Sequence, residues 1–396
     1  MIRTEPVKPI SNELMEEVGM SWHTDVDGSA YLVNELVHVT EAEAEAYYEA
    51  ANTLYEMFIE AGQHVIDNDL FFELDIPFNL ISQIKRSWEN DDLHLYGRFD
   101  FAGGLDGLPI KLIEFNADTP TSLFETAVVQ WALLKANHMD EESQFNTVYE
   151  AVQNNFRRLI TGIEGEVDPD SFAEQYQYQN ILFSSAADLP EDERTVRFLQ
   201  QIACDAGFQT DFAYMGDVAF SEQDGIFNAE ETRFDYWFKL FPWEDIALET
   251  DGITSILDEI SQNQACTILN PAYTLLFQSK GIMKVLYELF PDSPYLLETR
   301  LEPLQGRKQV SKTMFGREGA NTAIYDPQGK VLKAVPGEYD NYSKIYQAFA
   351  EFPQDEEGRS YQAGVFFAWE GCGLGFRRAW DIHDNMSKFV SHRIEG

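Results

Sequence analysis

The feature that most constrains the fold is a pair of predicted strands joined by a glycine-rich turn. Alternating polar and apolar residues, interrupted by turn glycines, predict strands over Leu95–Phe101 and Ile110–Asn116. Side chains on a strand point to the two faces of a sheet in turn. One face of this ribbon is apolar and is expected to face a core; its members are Phe99, Phe101, Ile113 and Phe115.

The other face of the ribbon carries polar side chains. Arg98 and Asp100 share it on the first strand, and Glu114 and Asn116 share it on the second. The two pairs meet if the turn has an odd number of residues, whereas a two-residue turn at Asp106-Gly107 would separate them. We expect the odd turn, because two carboxylates, an amide oxygen and an arginine together suit a hard divalent cation that carries phosphate. A ribbon with a merely solvated polar face is the alternative.

Charge restricts the possible partners. The chain has 28 Lys and Arg against 68 Asp and Glu, a formal net charge of −40, which argues against binding to nucleic acids and to anionic membranes. An acidic exterior suits a cationic substrate, and a self-repelling soluble surface is the alternative. Three scattered cysteines and an N-terminus without an apolar segment predict a reduced, cytoplasmic protein.

The length of 396 residues is enough for two or three lobes. A capping box at Thr40–Glu43 predicts a helix that continues to about Ile66. Strands at Asn180–Ser185 and Phe208–Tyr214 flank a helix at Glu191–Ala206, and this β-α-β order predicts a small parallel α/β lobe. The approximate lobes are 40–179 with the ribbon, 180–262 with the parallel unit, and 263–396 with most of the paired lysines.

Lysines beside glycine-rich turns recur late in the chain. Lys312 precedes the turn Gly316–Gly319, and Lys280 stands at the start of a predicted helix. Backbone N–H groups and a point charge hold phosphate in this way, although the turn is not a Walker sequence and a plain hairpin is the alternative. Nucleophile and zinc-ligand spacings are missing from the sequence. Combined with the acidic ribbon, the lysines and the turn describe ATP with magnesium.

At this point a family resemblance emerges. Arg98–Asp100 followed by Glu114–Asp118 resembles the R-x-D … E-[YF]-N-A-D signature of the synthetase domain of the glutathionylspermidine synthase family. The agreement continues in order over about residues 10–390. Its further blocks are Trp243-Glu244, Asn270-Pro271, Ser279-Lys280, Lys312 with Gly316–Gly319, Tyr346-Gln347 and Gly373–Arg377.

The resemblance implies one synthetase unit over residues 1–396, with an α/β (α+β) ATP-grasp fold in the circularly permuted arrangement of glutathione synthetases. It implies a C–N ligase in which ATP phosphorylates a carboxylate and an amine attacks the acyl phosphate. Asp100, Glu114 and Asn116 would bind two magnesium ions, and Arg98 would be catalytic. The ATP-binding residues it implies are Arg98, Asp100, Lys280, Lys312, Gly316, Gly319, Gln347 near the adenine, and Arg377 from a late loop.

The substrates are less well defined by the resemblance. The family's Ser-x-Ser, associated with a thiol peptide substrate, is Thr119-Pro-Thr121 here, so both threonines are candidate substrate ligands. The nearest group is the stand-alone acid–amine ligases, with a peptide-like carboxylate and an unidentified amine. Two alternatives stay open: a nucleotide-binding protein or ATPase that has lost ligation and acts as a partner or sensor, and a glutathionylspermidine synthase in the strict sense.

Overall fold

The computed structural model describes residues 1–162, 171–172, 179–380 and 382–395. The helices are α1 (Asn12–Val18), α2 (Glu41–Asp67), α3 (Ile81–Glu89), α4 (Gln130–Ala136), α5 (Val148–Thr161), α6 (Pro190–Ala206), α7 (Trp243–Ile246), α8 (Ile253–Gln262), α9 (Thr274–Gln278) and α10 (Ile282–Leu289). A π-helical segment at Glu125–Val129 precedes α4, and short 3₁₀ turns span Leu70–Leu74, Phe78–Leu80 and Met215–Asp217.

The strands are β1 (Thr4–Pro6), β2 (Leu32–Thr40), β3 (Gly97–Ala102), β4 (Lys111–Asn116), β5 (Asn180–Ser185), β6 (Gln209–Tyr214), β7 (Ala219–Ser221), β8 (Gly225–Phe227), β9 (Arg233–Phe234), β10 (Tyr236–Leu240), β11 (Thr267–Leu269), β12 (Thr299–Arg300), β13 (Gln309–Thr313), β14 (Ala323–Tyr325), β15 (Val331–Ala334), β16 (Lys344–Ala348), β17 (Ser360–Ala368), β18 (Glu370–Ala379) and β19 (Lys388–Glu395).

The described strands form a mixed α/β architecture of several sheets. The largest has the order β1-β2-β19-β18-β17-β3-β4, and a parallel sheet has the order β11-β10-β5-β6. An antiparallel sheet has the order β12-β16-β13-β14-β15, and β7-β8-β9 form a small one. The predicted β-α-β unit is confirmed by the parallel pairing of β5 with β6. The parallel sheet also takes in β11, which lies beyond the predicted limit of that lobe at residue 262.

The predicted ribbon is β3 and β4, and its polar residues share one face as expected. Arg98 lies opposite Asn116, and Asp100 lies opposite Glu114. The predicted odd-length turn is wrong, because the turn spans residues 103–110, an even number.

A β-bulge at Ile113 corrects the register. Asp100 pairs with Glu114 while the next residue, Phe101, pairs with Leu112, so Ile113 is the extra residue. Leu112 is buried in the core in place of Ile113, which instead lines a cavity. The bulge therefore decides which side chains of β4 face the core and which face the site.

Helix α2 covers the apolar face of this sheet. It begins with the predicted capping box: the Glu43 N–H donates to the Thr40 hydroxyl, and the Glu43 carboxylate accepts from the Thr40 N–H. The Phe58 ring packs 5.8 Å from Phe99 and 5.1 Å from Phe115, measured between ring centroids. These fully buried rings hold the ribbon against the helix.

The other face of the sheet packs closely against helices because β18 carries glycines at alternate positions. A Cβ added to Gly373 would lie 2.3 Å from Val148 Cγ2, and one added to Gly375 would lie 2.9 Å from Thr126 Oγ1. The glycines therefore mark a strand in close contact, and the predicted late loop around Arg377 is wrong.

Two further expectations concern the whole chain. Cys204, Cys266 and Cys372 are free thiols, as their spacing predicted. Among the described residues no helix combines the length and the apolar character needed to cross a membrane.

The close packing on β18 predicts that Gly373→Ala lowers the free energy of unfolding by about 1–3 kcal/mol, since the added methyl group overpacks the contact with Val148. Gly216→Ala is the matched control, because a Cβ there meets nothing within 4 Å. Urea unfolding compares the two. Equal stability of the two variants would contradict the close approach.

Candidate active site

Arg98 and Asp100 form the centre of the polar face. The buried Arg98 donates from Nε to Asp100 Oδ1 at 2.6 Å and from Nη2 to Asp100 Oδ2 at 3.0 Å. This two-point pairing fixes the plane of the guanidinium group. Burial acts to lower the pKa of Arg98, but the charge of Asp100 outweighs it and raises that pKa. The arginine is therefore held fully charged at a defined position.

Asp100 collects further donors from neighbouring strands. Its Oδ2 accepts from Asn116 Nδ2 at 3.2 Å and from Gln362 Nε2 at 3.0 Å. Sequence reasoning missed Gln362, since nothing local to β17 signals that it lies beside β3. Gly364 on β17 lies opposite Asp100, and a Cβ there would be 3.1 Å from Arg98 Cδ, so glycine leaves room for the arginine stem.

Arg377 lies on the same face of the sheet as Arg98 and Asp100. On β18 it lies opposite Gln362 of β17, and its Nη2 donates to the backbone O of Asp384 at 2.6 Å. It lines a small space shared with Arg98 and Asp100 and does not line the large cavity described below. Arg377 is thus placed on the Arg98 side of the site.

Two lysines meet the acidic end of the ribbon. Lys280 Nζ lies 3.0 Å from Glu114 Oε2 and donates to the backbone O of Gly316 at 2.7 Å. Lys312 Nζ donates to Gln347 Oε1 at 3.1 Å and to the backbone O of Ile113 at 3.2 Å. The structure therefore brings together the ribbon and both predicted lysines, which are far apart in sequence.

Burial and charge shape the protonation of these groups. Burial would raise the pKa of Glu114, but the charges of Lys280 and Lys312 outweigh it and bring that pKa to about 2. Burial lowers the pKa of Lys312 to about 8, since the attraction of Glu114 offsets it only in part. Glu114 is thus a permanent anion, whereas Lys312 is close to losing its proton near neutral pH.

These groups line a cavity of about 660 Å³. Its lining combines the charged Glu114, Lys280 and Lys312 with apolar side chains, among them Val310, Ile324, Leu332 and Phe349. A cavity with apolar side chains and a few converging charges has the character of a small-molecule site. Gln347 also lines it, and its buried Nε2 has no hydrogen-bond partner among the described residues.

The predicted glycine turn forms another wall of this cavity. Gly316 and Gly319 both line it, and Gly319 has φ +69° with space for a Cβ blocked by the His383 backbone O at 2.6 Å. Between them, Arg317 Nη2 donates to the buried Glu244 at 2.5 Å. This ion pair holds the turn against the part of the chain that follows β10.

The end of the ribbon is fixed by a buried ion pair. Asp118 accepts from Lys239 Nζ at 3.1 Å and from the Trp243 N–H at 2.9 Å, and both charged side chains are inaccessible to solvent. Asp118 is thus paired with a distant residue and does not cap the helical segment that follows. Asp118 instead joins the ribbon to the parallel sheet through Lys239 on β10.

The candidate substrate threonines lie in the segment that follows. Thr121 accepts from Arg98 Nη1, at 2.6 Å through its backbone O and at 3.5 Å through its hydroxyl. Thr119 lies two residues earlier and is half-buried. Asn270 steadies both ends of the ribbon, since its side chain accepts from the Leu95 N–H and donates to the Asp118 backbone O, each at 2.9 Å.

Buried carboxylates near this segment were missed by sequence reasoning. Glu125 is fully buried in the π-helical segment; its Oε1 accepts from Trp22 Nε1 at 2.9 Å, and its Oε2 has no partner among the described residues. Burial raises the pKa of Glu125, and burial with repulsion from Glu125 raises the pKa of Glu191 to about 8. A carboxylate inside an otherwise apolar helical stripe was the available signal.

The polar face of the ribbon is a candidate magnesium site. Within the described ranges no group of three His, Cys, Asp or Glu side chains is arranged to hold a metal. The predicted set instead has two carboxylates and an amide, Asp100, Glu114 and Asn116, on one face. Mg²⁺ is commonly held by one or two carboxylates together with substrate phosphates. The hard oxygen donors present therefore fit this ion when phosphate is also bound.

The fold and the site define a mixed α/β protein with a charged cavity of the kind that binds small molecules. Comparison with known families goes further: the chain belongs to the family described as "Glutathionylspermidine synthase preATP-grasp", whose model matches residues 2–395. This agrees with the resemblance noted in the sequence.

Individual relatives resemble the chain to different extents. A Haemophilus influenzae protein named "Putative acid--amine ligase" is 28% identical over 98% of this chain and 97% of its own length. Trypanothione synthetase of Crithidia fasciculata is 23% identical over 86% of this chain and 54% of its own length. The Escherichia coli bifunctional glutathionylspermidine synthetase/amidase is 23% identical over 83% and 54%. The chain thus spans about half the length of the last two relatives.

The buried pair at the end of the ribbon generates a stability prediction. Lys239→Met is expected to lower the free energy of unfolding by about 3–5 kcal/mol, because it leaves the Asp118 carboxylate buried without a counter-charge. Lys284→Met is the control, since the partners of Lys284 are exposed and such pairs contribute about 1 kcal/mol or less. Denaturant unfolding of both variants measures the difference, and equal losses would contradict the prediction.

Proposed function

We propose that this protein is an ATP- and Mg²⁺-dependent acid–amine ligase that forms an amide through an acyl phosphate. One observation carries the proposal: Lys280 and Lys312 gather beside Glu114 in the lining of a cavity that adjoins the Arg98–Asp100 pair. Membership of the family, and the full-length similarity to a protein named as an acid–amine ligase, support the same reaction class.

The proposed architecture is a circularly permuted ATP-grasp. The chain order supports it, because the ribbon with the metal ligands precedes the lysines and the glycine turn. The cavity between the ribbon and the antiparallel sheet of β13 and β16 supports it as well. The proposed lobes are the ribbon with its helices, the parallel sheet, and this nucleotide-holding sheet.

ATP is proposed to lie with its phosphates beside the charged side chains of the cavity. Lys280, Lys312 and the Gly316–Gly319 turn hold them, and the base lies against the apolar side chains beside Gln347, whose Nε2 needs an acceptor. Asp100, Glu114 and Asn116 would hold magnesium, and the resemblance implies two ions. When bound, magnesium neutralises charge on the phosphate oxygens.

The reaction needs charge neutralisation and positioning more than covalent catalysis. A substrate carboxylate oxygen bonds to the γ-phosphorus as the bond to ADP breaks. The amine nitrogen then attacks the acyl carbon, inorganic phosphate leaves, and the amine loses a proton. Arg98, fixed by Asp100, is placed to stabilise the transferring phosphoryl group.

The substrates are assigned to the Arg98 side of the site. Thr121 contacts Arg98 and Thr119 lies two residues earlier, and both threonines are proposed to contact a peptide-like carboxylate substrate. The buried Glu125 and the half-buried Glu191 are proposed to receive a protonated amine, because a cation beside them would offset their raised pKa values and favour their ionised forms. The identities of the acid and the amine follow from experiment.

A direct test incubates the protein with ATP, Mg²⁺, candidate acids and candidate amines. We expect phosphate release together with a new amide, detected by mass spectrometry. Asp100→Asn should lower turnover by about 10²–10³-fold, since it removes a charge that positions Arg98 and binds metal. Glu60→Gln, on the exposed surface of α2, should leave turnover unchanged.

Each contrary outcome points to a specific revision. Unchanged ATP turnover and Mg²⁺ dependence in Asp100→Asn would exclude the proposed metal ligand. ATP hydrolysis with no amide from any pair of substrates would favour the nucleotide-binding alternative. A conjugate from glutathione and spermidine would favour the strict glutathionylspermidine synthase.

The protonation of Lys312 predicts a pH dependence. Because its pKa lies at about 8, Lys312 loses its charge as the pH rises through that value, and kcat/KM for ATP should fall. Lys312→Arg keeps the charge and should remove this alkaline decline, even if its absolute rate is lower. Lys308→Arg, at the same cavity, is the control and should keep the decline. An identical profile in Lys312→Arg would contradict the assignment.

A further inference from the structure

A second groove lies between α3, α8 and β11. Its volume is about 380 Å³, and it shares no lining residue with the large cavity. Its wall is mainly polar; the side chains that matter here are Gln83, Ser87, Asn90, Asp92, Ser261 and Thr267. We call it the α3–α8 groove.

Among the residues that the structure describes, Asp92 is the one charged side chain that lines this groove. In the part of the chain that the structure describes, its carboxylate forms no hydrogen bond and no ion pair. Burial, with repulsion from the neighbouring Asp91, raises the pKa of Asp92 to about 6. A half-buried carboxylate without a counter-charge favours the arrival of a cation.

Gln83 provides a second and independent observation. Its side chain is 2% exposed, and its Nε2 donates to Ser261 Oγ at 3.4 Å. Its Oε1 has no hydrogen-bond partner among the described residues. Buried acceptors of this kind are costly unless they are paired. The wall therefore combines an anion with an unused acceptor.

The hydroxyl group of Ser87 is not available to a ligand. It accepts from the Tyr273 N–H at 3.0 Å and donates to the Ile84 backbone O at 3.1 Å, so it is already used on both sides. Asp92 and Gln83 thus each present an acceptor that has no donor among the described residues. A ligand that carries several N–H donors and a positive charge fits such a surface.

We propose that the α3–α8 groove binds a small protonated amine, with the ammonium group against Asp92. The ammonium supplies the counter-charge for Asp92 and a donor for the unpaired Gln83 Oε1. This site is separate from the amine position proposed for the ligase reaction, since neither Glu125 nor Glu191 lines the groove. Its occupancy does not depend on ATP turnover.

Ligand-observed NMR with n-butylammonium, in the absence of ATP, tests the proposal. n-Butanol and butyrate are the neutral and anionic comparisons, and we expect only the ammonium compound to bind. Asp92→Asn should weaken this binding by about tenfold or more, as for a lost charge-assisted hydrogen bond.

Asp91→Asn is the matched control, because the net charge of −40 attracts cations everywhere. Asp91 is the adjacent, exposed carboxylate, and its replacement removes the same charge. Its binding constant should stay within about twofold of that of the unmodified protein, an ordinary surface effect. Ser261→Phe fills the groove without changing the charge and should abolish the Asp92-dependent binding.

Several results would overturn the proposal: no binding of n-butylammonium, equal losses in Asp91→Asn and Asp92→Asn, unchanged binding in Ser261→Phe, or equally tight binding of n-butanol or butyrate. Circular dichroism checks that each variant is folded. Because no nucleotide is present, these results are independent of whether the ligase function holds.

Discussion

The pairing of Asp100 with Glu114 across the ribbon is the constraint on which the rest of the site depends. It places both carboxylates on one face, and the bulge at Ile113 keeps them there despite an even turn. The same bulge leaves the backbone O of Ile113 to accept from Lys312. One irregularity of a two-stranded ribbon therefore sets both the position of the acids and the contact with the sheet that carries a lysine.

Charged side chains along the ribbon are paired with opposite charges. Arg98 is paired with Asp100, Lys280 with Glu114, and Lys239 with Asp118. Such pairs persist because removing a charge from water is costly unless an opposite charge and further hydrogen bonds replace the solvent. Lys312 differs, because its hydrogen-bond partners, Gln347 and the Ile113 backbone O, are neutral. Burial therefore lowers the pKa of Lys312, and the charge of Glu114 offsets this only in part. The cations are thus positioned before any ligand binds, which lowers the cost of reorganisation.

Patterns among neighbouring residues predicted much of the secondary structure correctly, whereas several contacts between distant residues were not predicted. Alternation predicted the ribbon, and the capping box at Thr40 predicted the start of α2. The glycines near Arg377 were interpreted as a loop, although they belong to a strand whose neighbours lie close to its backbone. No local pattern indicated the partner of Asp118, because Lys239 lies 121 residues away in the sequence. The roles of the predicted site residues remain proposals.

The sequence by itself determined the alternating strands, the order of the charged motifs and the family, because these depend on neighbouring residues and ordered signatures. The tertiary structure decided which charges meet. Gln362 beside Asp100, and the buried Glu125 beneath Trp22, arise from contacts between segments 262 and 103 residues apart. No short-range pattern records such contacts, since burial and hydrogen bonding are settled only when distant strands and helices pack together.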